Sequence, residues 1–170
     1  NDGRRYPCKN ALFDSVEELS LLRGVSPELL SRVRDYLTVF PRGGGLQINF
    51  DTASLTVLRA FARSLTGAAT NTAEEDADSL AGKIVEFRAG TDGLPATSDD
   101  RIVDARGMGL NAKESALFLT MSPFRVSRSR LLRVHVQARD DNTSVKFRAE
   151  AVLDRNDGRI LSFYRRESIY

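Results

Sequence analysis

Apolar residues recur with a helical period over the first two thirds of this chain. Between residues 12 and 121 they are mostly spaced three or four positions apart, and polar breaks separate the periodic stretches. The clearest stretch has steps of four, three, four and three, which place its apolar residues on one face of a helix. These residues are Ala73, Ala77, Leu80, Ile84 and Phe87. The pattern predicts a helical region.

Polar residues before these stretches predict where the helices begin. Ser26 followed by Pro27 is typical of a helix start, because the serine can cap and a proline needs no partner at the first helical position. We expect this helix to run towards Phe40, after a first helix beginning at Asp14 or Ser15, and a third helix to be capped by Asp51 or Thr52. Three pairs have capping-box spacing: Ser15 and Glu18, Thr72 and Glu75, and Asn111 and Glu114.

The pattern changes to alternation in the last quarter of the chain. Apolar and polar residues alternate over 132–139 and again over 145–153, which predicts strands with one apolar and one polar face. Asn156-Asp157-Gly158 predicts a hairpin, Asp140-Asp141-Asn142 predicts a turn, and Phe124-Arg125-Val126 predicts a further strand of this sheet. Such a small sheet needs its apolar face packed against a helix.

These patterns together predict an α+β fold with a division near residue 122. Residues 1–122 form a helical domain, in which two helices joined by Gly24 to Ser26 resemble a helix-hairpin-helix unit, and residues 123–170 form antiparallel strands. The length of 170 residues suits one large or two small domains. Asn1-Asp2-Gly3 is not a natural start, so we expect a fragment of a longer protein.

Composition restricts the possible chemistry. With 25 Lys and Arg against 23 Asp and Glu, the formal net charge is +2, which gives little support to a dedicated polyanion-binding protein. One cysteine allows no intrachain disulfide, and one cysteine with one histidine cannot form the usual zinc cage. No apolar run approaches the roughly 20 residues that span a bilayer.

Few residues indicate catalysis. His135 lies on the polar face of a predicted strand without an accompanying nucleophile pattern, so we interpret it as a surface histidine. Cys8 lies more than a hundred positions from that histidine, so we interpret it as an incidental thiol. Gly43-Gly44-Gly45 lacks the Lys-Ser or Lys-Thr of a phosphate-binding loop and predicts a turn. We therefore expect no enzyme activity.

The helical hairpin has a possible alternative function. Hairpin amides at a helix start can bind a nucleic-acid phosphate, and Arg23, Arg32 and Arg34 lie nearby. Pro27 has no N–H to donate, however, and the surrounding carboxylates would repel phosphate. These are Glu17, Glu18, Glu28 and Asp35. We therefore favour a packing or protein-contact module over a nucleic-acid-binding module.

Residues 90–101 form an acidic loop with three carboxylates, those of Asp92, Asp99 and Asp100. Calcium takes six to eight oxygen ligands, and a loop containing Gly93 could wrap around the ion. The spacing differs from that of an EF-hand, and acidic turns are most often only solvated. We therefore predict calcium at Asp92, Asp99 and Asp100 as one of two interpretations, and a solvated turn as the other.

Two phrases carry a family resemblance. The first is Asn10-x-x-Phe13-x-Ser15-Val16-Glu17-Glu18-Leu19, followed by Gly24-Val25-Ser26-Pro27-Glu28. The second is Ile48-Asn49-x-x-Thr52-Ala53, which leads into a helix. In this order and separation they resemble the minor pseudopilin K family of the bacterial type II (general) secretion system. The resemblance is specific over residues 6–62, loose over 63–122 and only architectural over 123–168.

This resemblance implies a structural protein rather than an enzyme. Members of the family carry a leader and an apolar N-terminal helix, a pilin-like antiparallel sheet, and a helical insert of sterile-alpha-motif-like or helix-hairpin-helix type. They cap the periplasmic pseudopilus at its tip by binding the minor pseudopilins I and J. The resemblance thus implies a Gram-negative protein on the periplasmic face of the inner membrane, anchored through a helix that this chain lacks. It implies no nucleic-acid partner and no cofactor beyond the possible calcium.

The leading alternative is a cytosolic, monomeric helix-hairpin-helix protein that binds nucleic acid. The start of the complete gene would discriminate between the two, since a leader followed by about 20 apolar residues belongs only to the secretion protein.

Overall fold

The structure, a computed structural model, describes residues 9–43, 45–67, 70–139 and 145–169. It has an α+β fold, as predicted, with helices preceding a three-stranded antiparallel sheet. The chain divides into two compact units, Asn1–Gly45 and Leu46–Tyr170. The predicted boundary between residues 122 and 123 falls inside the second unit, at the change from helix to strand.

The first unit contains one short α-helix, α1 (Pro27–Val33), between two 3₁₀ helices, Val16–Leu21 and Arg34–Tyr36. The hydroxyl of Ser26 accepts a hydrogen bond from the backbone N–H of Leu29 at 3.1 Å, which confirms the predicted cap. Gly24, in the connection between the two segments, has a φ of +91°, a conformation that glycine adopts without strain.

Two expectations for this unit were wrong. The first helix is a 3₁₀ helix without a capping box at Ser15, because the Glu18 carboxylate accepts its backbone hydrogen bond from Asp14, at 3.0 Å. The second helix stops at Val33 and does not continue to Phe40. Proline at position 41 disfavours a helical conformation at the residue before it, and β-branched side chains at 38 and 39 weaken the helix further.

The second unit begins with a short strand and three longer helices. Strand β1 (Ile48–Asn49) leads into α2 (Leu55–Ser64), which is followed by α3 (Glu74–Arg88) and α4 (Ala112–Met121). All three helices were predicted, and the capping box before α4 is confirmed. Asn111 Oδ1 accepts from the Glu114 N–H at 2.9 Å, and Glu114 Oε2 accepts from the Asn111 N–H at 2.8 Å.

The caps of α2 and α3 differ from the prediction. Ser54, rather than Asp51 or Thr52, caps α2, because the Asp51 carboxylate accepts a hydrogen bond from the distant Val103 N–H at 2.8 Å. At the start of α3, the carboxylate that bonds back to the Ala73 N–H is that of Asp76, at 2.8 Å. The expected pair of Thr72 and Glu75 therefore misplaces this helix start by one residue.

The buried core belongs to the second unit. It consists of the inward faces of α2, α3 and α4, together with residues just before α2 and in the loop before α4. Its fully or nearly fully enclosed members include Phe50, Leu58, Leu80, Ile84, Val103, Leu117 and Met121. Burying residues of this size is the main source of stability in a small domain.

Three long strands follow the helices. Strands β3 (Leu131–Arg139), β4 (Val145–Asp154) and β5 (Ile160–Ile169) form an antiparallel sheet in the order β3-β4-β5. The predicted hairpin between β4 and β5 is confirmed, with a φ of +70° at Gly158. The predicted turn at Asp140-Asp141-Asn142 lies outside the described residues.

One strand pairs differently from the prediction. Strand β2 (Arg125–Val126) does not join the antiparallel sheet but pairs in parallel with β1. The amide of Asn49 also donates to the Ser129 hydroxyl at 3.2 Å, so the segment before α2 is bonded to the segment that leads into β3. This pairing joins residues about eighty positions apart, which local sequence does not encode.

The division into two units gives a stability prediction. No described residue of the first unit is buried, whereas the whole core lies in residues 46–170. We expect that removing residues 1–45 changes the melting temperature by no more than about 4 °C, the shift that about 1 kcal/mol gives in a domain of this size. Thermal circular dichroism of both chains tests this, and loss of cooperative melting on truncation would contradict it.

Candidate interaction surfaces

The register of the sheet separates an apolar face from a polar face. In an antiparallel pair, residues directly opposite each other point to the same side. The pairs Leu132 with Leu153, Val134 with Ala151, and Ala151 with Phe163 therefore lie on one face. The apolar residues of this face are Leu132, Val134, Val136, Ala138, Phe147, Ala149, Ala151, Leu153, Ile160 and Phe163. Arg165 lies on the same face opposite Ala149, with its guanidinium 5.0 Å from the centre of the Phe147 ring.

The apolar face is largely uncovered by the described residues. Phe163 is 62% exposed and Val136 54% exposed. The described residues of this sheet that are buried, Val152 and Asp154, lie on the opposite face. Within the described residues, no helix packs against this apolar face, which the sequence pattern expected a helix to cover. An exposed apolar surface of this kind is typical of an interaction site.

The relief of this face resembles a trough along its central strand. Ala149 and Ala151 in β4 present only methyl groups, whereas β3 contributes Val134 and Val136 on one side and β5 contributes Phe163 and Arg165 on the other. Small side chains between larger ones leave room for a ridge of side chains from another element, as in ordinary ridge-and-groove packing. The geometry therefore favours a long apolar element lying along β4.

The polar face carries His135, as predicted. Its Nδ1 lies 3.6 Å from the Glu150 carboxylate, and the same carboxylate lies 3.5 Å from Nε of Arg133. The imidazole is more than half exposed. An exposed histidine beside a shared carboxylate agrees with its interpretation as a surface residue.

The helical hairpin shows a balanced charge distribution. The Arg34 guanidinium lies 3.2 Å from the Glu17 carboxylate, and Lys9 lies 3.1 Å from the Glu18 carboxylate. Helix α1 is only seven residues long and begins with a proline. These features give no concentrated positive charge at the hairpin, so they do not strengthen a nucleic-acid interpretation. Cys8 and Gly44 lie outside the described residues.

The acidic loop is organised by hydrogen bonds within itself. The Asp99 carboxylate accepts bonds from the Thr91 N–H and hydroxyl, both at 2.6 Å, and from the Thr97 hydroxyl at 2.8 Å. These bonds hold the pKa of Asp99 well below its usual value. The structure brings Asp92 and Asp99 together around Thr97, because the Thr97 hydroxyl also lies 3.4 Å from Asp92 Oδ1.

Asp100 is directed to a different backbone group. Its carboxylate accepts from the Ala96 N–H at 2.8 Å. Among the described residues, no group of three or more His, Cys, Asp or Glu side chains is arranged to hold a metal ion. The three carboxylates thus have an evident role as caps of a tight loop, and calcium at Asp92, Asp99 and Asp100 stays a prediction.

Gly90 connects this loop to the end of α3, and its replacement is a test of the loop. A Cβ at Gly90 would lie 2.5 Å from both the backbone oxygen and the carboxylate of Asp99, and its φ is +67°. We expect Gly90→Ala to destabilise the protein by about 2–3 kcal/mol through strain and displacement of the loop. Gly93→Ala is the control, since φ there is +71° but nothing lies within 4 Å. Equal losses of unfolding free energy in the two variants, measured by urea unfolding, would contradict the close approach of Asp99 to Gly90.

Sequence reasoning missed two buried polar clusters. Glu114 is only 1% exposed, and besides closing the capping box it accepts from Ser79 and Lys83, each at 2.6 Å. Arg130 reaches the buried Asp154 carboxylate with two nitrogens, at 2.9 and 2.6 Å. The capping spacing identified Glu114 only as a cap. The partners of both carboxylates come from other elements, so no local pattern could reveal them.

No protein family model, curated protein or solved structure matches this chain. None of the helices within the described residues combines the length and the apolarity needed to cross a lipid bilayer. What the chain does is therefore inferred from its own residues and their arrangement.

Proposed function

We propose that this chain is a minor pseudopilin that caps the tip of a type II secretion pseudopilus. The observation that carries the proposal is the apolar face of the β3-β4-β5 sheet, which the described residues leave largely exposed and which follows a helical region in the chain. A pilin-like sheet packs that face against an apolar helix. The trough over Ala149 and Ala151, between Val134 and Phe163, suits such an occupant.

The two sequence segments that resemble the pseudopilin K family also support the proposal. Ser26 and Pro27 of the first phrase form a genuine helix start. Asn49 of the second phrase bonds to the segment leading into the sheet, and it directly precedes the buried Phe50. These residues join a helical region to strands, which is the position that the helical insert occupies in the family. We further propose that this helical region is a sterile-alpha-motif-like insert in a pilin-like sheet.

The mechanism is assembly rather than chemistry. The protein acts by burying its surface against the minor pseudopilins I and J, on the periplasmic face of the inner membrane. The helical regions add bulk to the chain beyond the sheet, which fits the end of a filament better than the closely packed shaft. The proposed role involves no enzymatic step. Finding the chain along the shaft of assembled filaments would contradict it.

The decisive experiment is co-elution on a sizing column. The chain is mixed with the soluble heads of minor pseudopilins I and J from the same organism, with calcium and with a chelator, and each protein is also run alone. We expect a stable species containing all three. Calcium dependence of that species would support a metal site in the acidic loop. Separate elution in both conditions, with salt-dependent DNA binding instead, would favour the helix-hairpin-helix alternative.

The apolar face can be tested on the chain alone. We expect the double variant Val136→Ser with Phe163→Ser to lower the binding of a fluorescent dye for exposed apolar surface by at least about half. The melting temperature should change little, because both side chains are more than half exposed. Leu119→Ser is the control, since Leu119 is 70% exposed but lies on α4. Unchanged dye fluorescence in the double variant would show that the face is already covered.

A further inference from the structure

The two edge strands of the antiparallel sheet differ in their protection against further pairing. Strand β4 is paired on both sides, whereas β3 and β5 pair only with β4 among the described residues. The outer backbone groups of such an edge can add another strand, and charged side chains along the edge are an ordinary means of preventing this. Strand β3 carries Arg133, His135 and Arg139, whereas β5 has no charged residue from Ile160 to Tyr164. Strand β5 is therefore the less protected edge.

The uncharged part of β5 is also exposed and composed of residues that favour strands. Ile160 is 57% exposed, and Phe163 and Tyr164 are each 62% exposed. Isoleucine and aromatic residues have a high propensity for strands. An exposed edge of this composition is suited to strand addition, in which main-chain hydrogen bonds supply the affinity.

A second copy of β5 fits this edge in one antiparallel register. About a two-fold axis, one residue lies opposite itself, and its neighbours lie opposite each other in order. Centring on Arg165 or on either of the next two residues would place identical charges opposite each other, which destabilises a sheet. Centring on Phe163 or an earlier residue leaves at most three regularly paired residues, because the register with β4 shifts at Leu161. Centring on Ser168 also leaves three, because the strand ends one residue later.

The remaining register is centred on Tyr164 and pairs Ser162 to Arg166 of one copy with the same residues of the other. Tyr164 lies opposite itself, and an aromatic pair in this position stabilises a sheet. Phe163 lies opposite Arg165 of the second copy, which places a ring beside a guanidinium. The Arg165 and Phe147 side chains already show this arrangement within one copy, at 5.0 Å. No like charges lie opposite each other in this register.

We propose that the β5 edge is the contact through which two copies of this chain associate. Pairing about this axis closes after two copies, since each copy offers one such edge. The apolar faces of the two sheets then lie on the same side of a six-stranded sheet. The proposal is independent of the pseudopilus role, because it uses the edge of the sheet and leaves the apolar face available. So short a contact gives a weak and reversible dimer.

Sedimentation equilibrium of the full chain over a range of concentrations tests the association. We expect a reversible equilibrium between monomer and dimer without larger species. Tyr164→Lys removes an aromatic pair and places two ammonium groups opposite each other, so it should raise the dimer Kd about tenfold. His135→Lys is the matched control, because His135 and Tyr164 both lie directly opposite Glu150, but His135 belongs to β3. This control should alter the Kd less than about twofold.

Cross-linking tests the register. In a Cys8→Ser background, we expect Tyr164→Cys to form a disulfide-linked dimer under mild oxidation. Directly opposite residues bring their Cα atoms within the range that a disulfide spans. Phe163→Cys is the control, since Phe163 does not lie opposite itself in this register and should cross-link much more slowly.

Four results would overturn the proposal. They are a monomer at the highest soluble concentration, oligomers larger than two, equal effects of the two lysine variants, and faster cross-linking by Phe163→Cys than by Tyr164→Cys. If Tyr164→Lys fails to melt cooperatively, Tyr164→Thr replaces it, because threonine favours strands. Loss of the aromatic pair alone should then raise the Kd about threefold.

Discussion

Replacing Phe50 with alanine is expected to destabilise the protein by about 4 kcal/mol, the usual cost of removing a buried phenylalanine. The ring is fully buried and lies 6.5 Å from the ring of Phe61 and 6.0 Å from that of Phe118, so it joins α2 to α4. The Arg125 guanidinium lies 6.0 Å from the Phe50 ring centre. Urea unfolding followed by circular dichroism measures the loss.

Phe163→Ala is the matched control for this substitution. It removes the same atoms from a side chain that is 62% exposed on the apolar sheet face. We expect a loss below about 1 kcal/mol, as is usual for exposed positions. A similar loss in both variants would mean that Phe163 is enclosed in solution, and a small loss at Phe50 would contradict the described core.

Local signals predicted the helix starts that depend on neighbours in the sequence. The pair of Asn111 and Glu114, and the Ser26 cap before Pro27, lie within a few positions of the groups they bond, so short-range spacing was sufficient. The start of α2 was misplaced because Asp51, a good cap by residue type, is used by Val103 about fifty positions away. Residue type alone does not show such competition between local and distant partners.

Strand alternation predicted the two faces of the sheet but not what covers them. Period two fixes which residues share a face, and β3 and β4 followed it. Whether a face is buried depends on distant elements, so the exposure of Val136 and Phe163 could not be inferred from alternation. For the same reason, alternation did not predict that β2 pairs in parallel with β1. It placed residues 124–126 in the three-stranded sheet instead.

The acidic loop shows what composition leaves out of a candidate site. Three carboxylates near one another suggested calcium, which stays a prediction. The structure shows that Asp99 and Asp100 each accept backbone N–H bonds in the loop, whereas the spacing of charged residues alone contains no information on these acceptors. A carboxylate in a turn can therefore bind a cation or accept hydrogen bonds from backbone N–H groups.

The largest electrostatic effect is expected at Glu114, beneath the surface of the helical core. Burial alone would raise the pKa of Glu114, but hydrogen bonds from Lys83, Ser79 and the Asn111 N–H outweigh it and lower the pKa. We expect Glu114→Ala to cost about 3 kcal/mol, because three donors lose their shared acceptor. Chemical denaturation at pH 7 measures this loss.

The lowered pKa also predicts how this contribution depends on pH. A carboxylate whose folded pKa lies below its unfolded value stabilises the protein fully above the unfolded value of about 4.5, and the contribution is lost as the pH falls through the folded pKa. The difference in unfolding free energy between wild type and Glu114→Ala should therefore shrink below about pH 4.5. Glu86→Ala, an exposed position on α3, is the control. A difference that stays constant down to pH 3 would mean that packing, rather than the charge of Glu114, stabilises this cluster.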